Sequence, residues 1–150
     1  MKTRILWAAL GLWVAVQAAA LAQAPAAPAP SLYKRLGGYD AIAAVTDEFI
    51  ARFAADKSLS RFLVGLSDSS KARLRQLVVD QICVATGGPC LYTGRDTKTA
   101  HKGLGITEAD WNTSAKLLSD SLDKFKVPQK EHDEFMGIVA SLKKDTVEKP

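Results

Sequence analysis

From Ser31 to Thr146 apolar residues recur at steps of three and four, and glycines break the pattern at Gly37-Gly38, Gly87-Gly88-Pro89 and Gly103-Leu-Gly105. No other feature restricts the chain as much. Steps of three and four place side chains on one face of a helix, and a glycine just past a helix takes the left-handed conformation that ends it. Strict alternation with β-branched residues, the mark of a half-buried strand, is scarce. The expected class is all-α, made of short amphipathic helices.

Ser31 to Leu36 reads as one helical turn, and Ile42, Val45, Phe49 and Phe53 form the stripe of a helix over Tyr39–Ala55. Leu59, Phe62 and Leu63 suggest a helical corner, after which the polar run Ser67-Asp-Ser-Ser70 starts a helix striped by Leu74, Leu77, Val78 and Ile82. Cys90 to Gly105 has no sustained period and reads as a loop carrying one helical turn around Thr97 to Lys102. A loop of that length in a small domain is usually functional. Thr107-Glu-Ala-Asp110 resembles a capping box ahead of the face Trp111, Ala115, Leu118, Leu122, Phe125. Pro128 suits the first position of a last helix striped by Phe135, Ile138, Val139 and Leu142.

The first 24 residues stand apart. Lys2 and Arg4, the apolar run Ile5 to Val16, and the A-x-A sites Ala20-Leu21-Ala22 and Ala22-Gln23-Ala24 have the layout of a cleaved export signal. The alternative is a retained membrane anchor, for which Ile5 to Ala24 just reaches the span of about 20 residues. Ala and Pro alone make up residues 25–30, a tether with nothing to bury, so residues 31–150 form the one domain. Loss of Lys2 and Arg4 lowers the formal net charge from +4 to +2, and basic clusters interleaved with aromatics are absent. Nucleic acid is therefore not an expected partner.

Cys83 and Cys90 flank the Gly87-Gly88-Pro89 turn, and in an oxidising compartment they are expected to form a disulfide, the alternative being two free thiols. Six, ten and thirty residues separate Cys83, Cys90, His101 and His132 in turn, which is wrong for the close ligand pairs of a zinc site. C-x-x-C-H, the attachment motif of a c-type haem, is absent, as is G-x-S-x-G. His132, between Glu131 and Asp133, reads as a solvated surface residue, whereas His101 lies within the glycine-rich loop.

In their order and spacing, Leu32-Tyr-Lys-Arg-Leu-Gly-Gly38, Phe49, Ala55-Asp56, Gly87-Gly88-Pro89 with Tyr92-Thr-Gly94, His101-x-Gly103-x-Gly105-Ile106-Thr107, and Val127-Pro128 resemble the group I truncated haemoglobins. The resemblance runs from about Leu32 to Val147. It implies a two-over-two helical sandwich with a loop-like proximal segment, a haem b, and His101 as axial iron ligand. A globin iron takes one imidazole nitrogen and leaves the opposite face free. The implied haem contacts are Phe49, Ile50, Phe62, Leu74, Val78, Ile82, Tyr92, Ile106 and Trp111, with Lys98 suited to a propionate. The family's aromatic residue at the corner over the haem maps to Phe62 or Leu63.

On the distal side this chain departs from the family, which usually has Tyr after the residue matching Phe49 and often Gln on the facing helix. Ile50 and Val78 occupy those places, with Leu74 one turn earlier. Gln81, seven residues after Leu74, is the one nearby polar substitute. The expected function is reversible binding of O2, NO or CO in an apolar pocket. NO dioxygenase or peroxidase-like turnover and an extracytoplasmic gas or redox sensor are the alternatives. A reductase is the protein partner such a reading brings with it, and the sequence is silent on oligomeric state. Export makes the protein periplasmic or secreted. Sequencing of mature protein from the extracytoplasmic fraction should therefore begin near Gln23 or Pro25, and intact Met1 in a soluble cytoplasmic pool would refute this.

Overall fold

The computed structural model describes residues 28–149, so the expected export signal and the first half of the tether lie outside the described residues. Within them are seven α-helices: α1 (Leu32–Arg35), α2 (Gly38–Ala55), α3 (Asp68–Ala85), α4 (Thr97–His101), α5 (Glu108–Lys124), α6 (Gln129–Ser141) and α7 (Lys143–Thr146). A single 3-10 turn, Ser60–Leu63, forms the corner between α2 and α3.

Short polar side chains set where four of these helices begin. Ser31 accepts the Lys34 N–H at the start of α1, Ser67 accepts the Ser70 N–H for α3, and Asp96 accepts the Thr99 N–H for α4. Before α5, Thr107 and Asp110 cap each other reciprocally, as their spacing leads one to expect. At the far end of α3 the Gly87 N–H bonds the Val84 carbonyl and the Gly88 N–H the Cys83 carbonyl, the paired bonds of a Schellman stop. Gly87 has φ +81°, and a Cβ on Gly88 would lie 2.6 Å from Cys83 Sγ, so both glycines are required. Cys83 and Cys90 are joined by a disulfide across this turn, with Cα atoms 5.9 Å apart.

α2 is the central helix, packed on α3 along one side and on α5 along the other, while α6 covers α5. Leu32, Val45, Leu118, Leu122 and Phe135 form the main core, and Ile42, Ala43 and Val79 a second cluster between α2 and α3. Thus α2 and α3 form one layer and α5 and α6 the other.

Four details differ from the periodic reading. The residues that α3 buries completely are Val79 and Cys83, whereas Leu74 and Val78 of the expected stripe are only half-buried. Phe125 is 45% exposed, because it is the residue at which α5 ends and the chain turns away through Lys126 in the left-handed conformation. Pro128 precedes α6 rather than opening it, and the Leu142 N–H bonds the Val139 carbonyl, a tight three-residue step that separates α6 from α7. His132 is half-buried, with Nε2 3.0 Å from Ser119 Oγ and Nδ1 3.4 Å from Asp133, because α5 and α6 close over it. Ser119 lies in mid-helix, where the backbone N–H groups are already bonded, so this trio lacks the oxyanion donors a hydrolase needs.

An ion pair between the exposed Arg61 and the buried Asp110 ties the 3-10 corner to α5. Arg61 Nη2 is 2.6 Å from Asp110 Oδ2, its guanidinium lies 4.3 Å above the Phe62 ring, and Asp110 also accepts the Thr107 N–H and hydroxyl. Arg61, with help from Thr107, holds the Asp110 carboxyl below the usual carboxylate range. A depressed carboxyl stabilises the fold above its unfolded value of about 3.9 and loses that contribution as pH falls from there through the lower folded value. Asp110→Ala should cost about 1–2 kcal/mol at neutral pH, and its deficit should shrink on acidification below about pH 4. Urea unfolding of both proteins from pH 7 to pH 2.5 measures this, and a deficit independent of pH would contradict it.

Candidate functional site

α4 has five residues and none of them is buried, so core packing does not hold it. Polar bonds do so instead. Hydrogen bonds from Thr99 keep the Asp96 carboxyl below its ordinary range, as a helix cap should. From α3, the Gln81 amide donates to Thr97 Oγ1 at 3.3 Å. Tyr92 donates its hydroxyl to the Arg95 carbonyl at 2.6 Å, and its ring lies against Gly94, where a Cβ would fall 2.2 Å from that hydroxyl. Tyr92 is therefore the clasp of the loop entering α4. On the other side the Glu148 carboxylate accepts the N–H groups of Gly103 at 2.7 Å and Gly105 at 2.6 Å, bonds that lower its pKa.

His101 is the last residue of α4 and is half-buried, with Nδ1 2.7 Å from the Thr97 carbonyl oxygen. A carbonyl only accepts, so the bond requires the proton on Nδ1 and leaves the lone pair on Nε2. This is the arrangement by which proteins fix the tautomer of a metal-binding imidazole. An acceptor four residues back on the same helical turn is implicit in the sequence once Thr97 is known to start the helix.

Ile50 and Leu74 come together on one cavity of about 280 Å³, lined also by Ala54, Ser60, Leu63, Val64 and Lys71. Of the two corner residues it is Leu63 that lines this cavity, while the Phe62 ring packs 6.3 Å from that of Phe53. Ser60 and Lys71 are polar contributors that the sequence reading missed. Lys71 precedes Leu74 by three residues and so shares its helical face, which was the available signal.

The other expected contacts divide into two sets. Phe49 and Ile82 pack against the main core, Ile82 beside Val45, Leu122 and Phe135. Ile106 is buried at the loop leaving α4, whereas Val78 and Trp111 remain half-buried. Lys98 is exposed, without a carboxylate within 4 Å among the described residues. Gln81 is committed to Thr97 on the α4 side and is not among the residues lining the cavity of Ile50 and Leu74.

One imidazole with a free Nε2 lone pair, together with half-buried apolar side chains, suits a flat apolar macrocycle carrying a metal. Among the described residues no group of three or more His, Cys, Asp or Glu side chains gathers to hold a bare ion.

Residues 31–148 match the family described as bacterial-like globin. The chain is 37% identical over 112 residues to the group 1 truncated haemoglobin GlbN of Mycolicibacterium paratuberculosis, covering 75% of this chain and 80% of that one. It is 32% identical over 136 residues to the group 1 truncated haemoglobin LI410 of Chlamydomonas moewusii, covering 89% and 78%. Among solved structures it resembles the 2/2 haemoglobin of Synechococcus in its cyanomet state with covalently attached haem. The TM-score is 0.72 and the identity 28%, with 79% of this chain and 98% of that one covered. The Fe(III) truncated haemoglobin of Tetrahymena pyriformis gives the same TM-score at 22% identity, with the same coverage, and supports the fold alone. With its two-layer helical fold and the imidazole of α4, this chain belongs to the bacterial-like globins and, within them, to the group 1 truncated haemoglobins.

Proposed function

We propose that this protein binds haem b through His101 Nε2 and reversibly binds a diatomic gas on the opposite face. The observation that carries the reading is the bond from His101 Nδ1 to the Thr97 carbonyl, which reserves Nε2 for a metal. A bound haem would supply an iron with one open position for O2, NO or CO. The lack of C-x-x-C-H argues against c-type attachment through cysteine thioethers.

The chain's own residues then decide how long a ligand stays. Ile50, Leu74 and Val78 offer no hydrogen-bond donor. O2 gains negative charge on binding iron, and a donor facing such a ligand contributes about 1.5–3 kcal/mol. Where neither Ser60 nor Lys71 reaches the ligand, O2 leaves quickly, while CO, which gains less from a donor, is affected less. Lys98, exposed in the first turn of α4, would be free to meet a propionate. The Cys83–Cys90 disulfide supports an oxidising workplace outside the cytoplasm, and a reductase there would keep the iron ferrous.

His101→Ala should abolish the wild-type ferrous spectrum and weaken haem retention. Added imidazole should restore the spectrum, and a variant spectrum identical to wild type would remove the proposal.

Ile50→Tyr should slow O2 dissociation by about tenfold or more by presenting a hydroxyl to the ligand, and Gln81→Leu should leave it unchanged. Ser60 and Lys71 favour a second reading as an NO dioxygenase, since either could supply the donor that keeps O2 in place. Rapid NO consumption by the oxygenated protein that falls in Lys71→Met would select that enzyme over simple gas binding.

A further inference from the structure

We propose that Glu148 is a positioning residue for the axial imidazole, and that its carboxylate sets the orientation and hold of His101 from the far end of the chain. The inference rests on His101 being the iron ligand.

α4 buries none of its side chains, so bonds at its two ends must fix its place. The entering end has Asp96, the Gln81 amide on Thr97 and the Tyr92 clasp. At the leaving end, immediately after His101, Lys102 is extended and the chain passes through Gly103 at φ +84° and Gly105 at φ +65°. Left-handed residues of this kind turn neighbouring N–H groups to one side and make a concavity for an anion. That concavity is filled by Glu148, one oxygen on the Gly103 N–H at 2.7 Å and the other on the Gly105 N–H at 2.6 Å.

The backbone of Glu148 is itself held. The N–H groups of Glu148 and Lys149 donate to the Ile106 carbonyl at 2.9 and 3.2 Å, and the Lys149 carbonyl accepts the Glu108 N–H at 3.2 Å. Thr107 and Lys149 form a parallel bridge, and α7 packs directly against α4. The segment around Glu148 is thus strapped across the start of α5 and delivers one bidentate acceptor to Gly103 and Gly105, two and four residues after the imidazole. Charge-assisted bonds of this kind are about twice as strong as neutral ones and strongly directional. With few apolar contacts to limit it, the rotation of α4, and with it the imidazole plane, follows this anchor.

The test uses the full haem-loaded protein. In Glu148→Ala, haem transfer to excess apomyoglobin should speed up by about tenfold or more, from the loss of two charge-assisted bonds. The iron–histidine stretching band of the ferrous protein should also broaden and shift. Glu148→Gln keeps one carbonyl acceptor and should fall between the two. Glu108→Ala removes the Lys143 ion pair at 2.8 Å beside the same strap and should leave the band at its wild-type position. A lower unfolding temperature in Glu148→Ala with the band and transfer rate unchanged would overturn the proposal, showing the carboxylate to be merely structural. If Glu148→Ala fails to fold, a wild-type band in Glu148→Gln would overturn it equally. Absence of haem from the wild-type protein would instead defeat the proposed function. In that case, faster amide exchange at Gly103 and Gly105 in the apo Gln variant would still report on the anchor.

Discussion

A five-residue helix that buries none of its residues fully cannot place a side chain by packing alone, and the polar bonds around α4 answer that constraint. Nucleating a helical turn is unfavourable, and a helix this short gains few internal bonds in return. Here the shortfall is met by polar bonds from two distant parts of the chain and from the loop just before the helix. Gln81 reaches α4 from α3, Tyr92 and Asp96 stiffen the loop that enters it, and Glu148 secures the loop that leaves. The disulfide and the Schellman stop at Gly87 and Gly88 fix where that entering loop begins. What these bonds position is one imidazole whose Nδ1 proton is already engaged.

The other half of the molecule follows hydrophobic rules. α2 shares its apolar surface between two neighbours, so its buried residues, Ile42, Ala43, Val45 and Thr46, spread over more than one face. α3 divides its apolar residues, giving Val79 and Cys83 to the protein core and leaving Leu74 and Val78 half-buried. In a domain this small such a sacrifice of burial is informative, because full burial of an apolar side chain contributes about 1.5–3 kcal/mol and a half-buried one forgoes part of that. Apolar side chains left half-buried and a tautomer-fixed histidine are together the physical basis of the haem reading. The Arg61–Asp110 pair serves the same face, since it holds the corner that brings Leu63 against Ile50 and Leu74.

Helix starts were legible because caps act within three or four residues. Ser31, Ser67, Thr107 and Asp110 behave in the fold as their spacing implies. The final helix was less legible: nothing local announces the tight step at Leu142 that divides it, because the end of the chain bends there to bring α7 onto α4. His132 was misread for the same kind of reason. Its sequence neighbours are charged, and its burial comes from α5, which no pattern within α6 reveals.

His101 as the candidate cofactor ligand came from the family resemblance, whereas the sequence by itself determined the helical class and the position of most breaks and favoured a Cys83–Cys90 bridge over free thiols. These follow from local spacing and from the conformations that glycine, proline and short polar residues favour. Tertiary structure decided which way Gln81 turns, that Leu63 rather than Phe62 lines the cavity of Ile50 and Leu74, that Ser60 and Lys71 join it, and that Glu148 holds the loop after His101. Those contacts join residues as far apart as 45 positions, and their register depends on how whole helices dock. Docking is set by the sum of many packing contacts across both layers, a quantity that no single stretch of sequence contains.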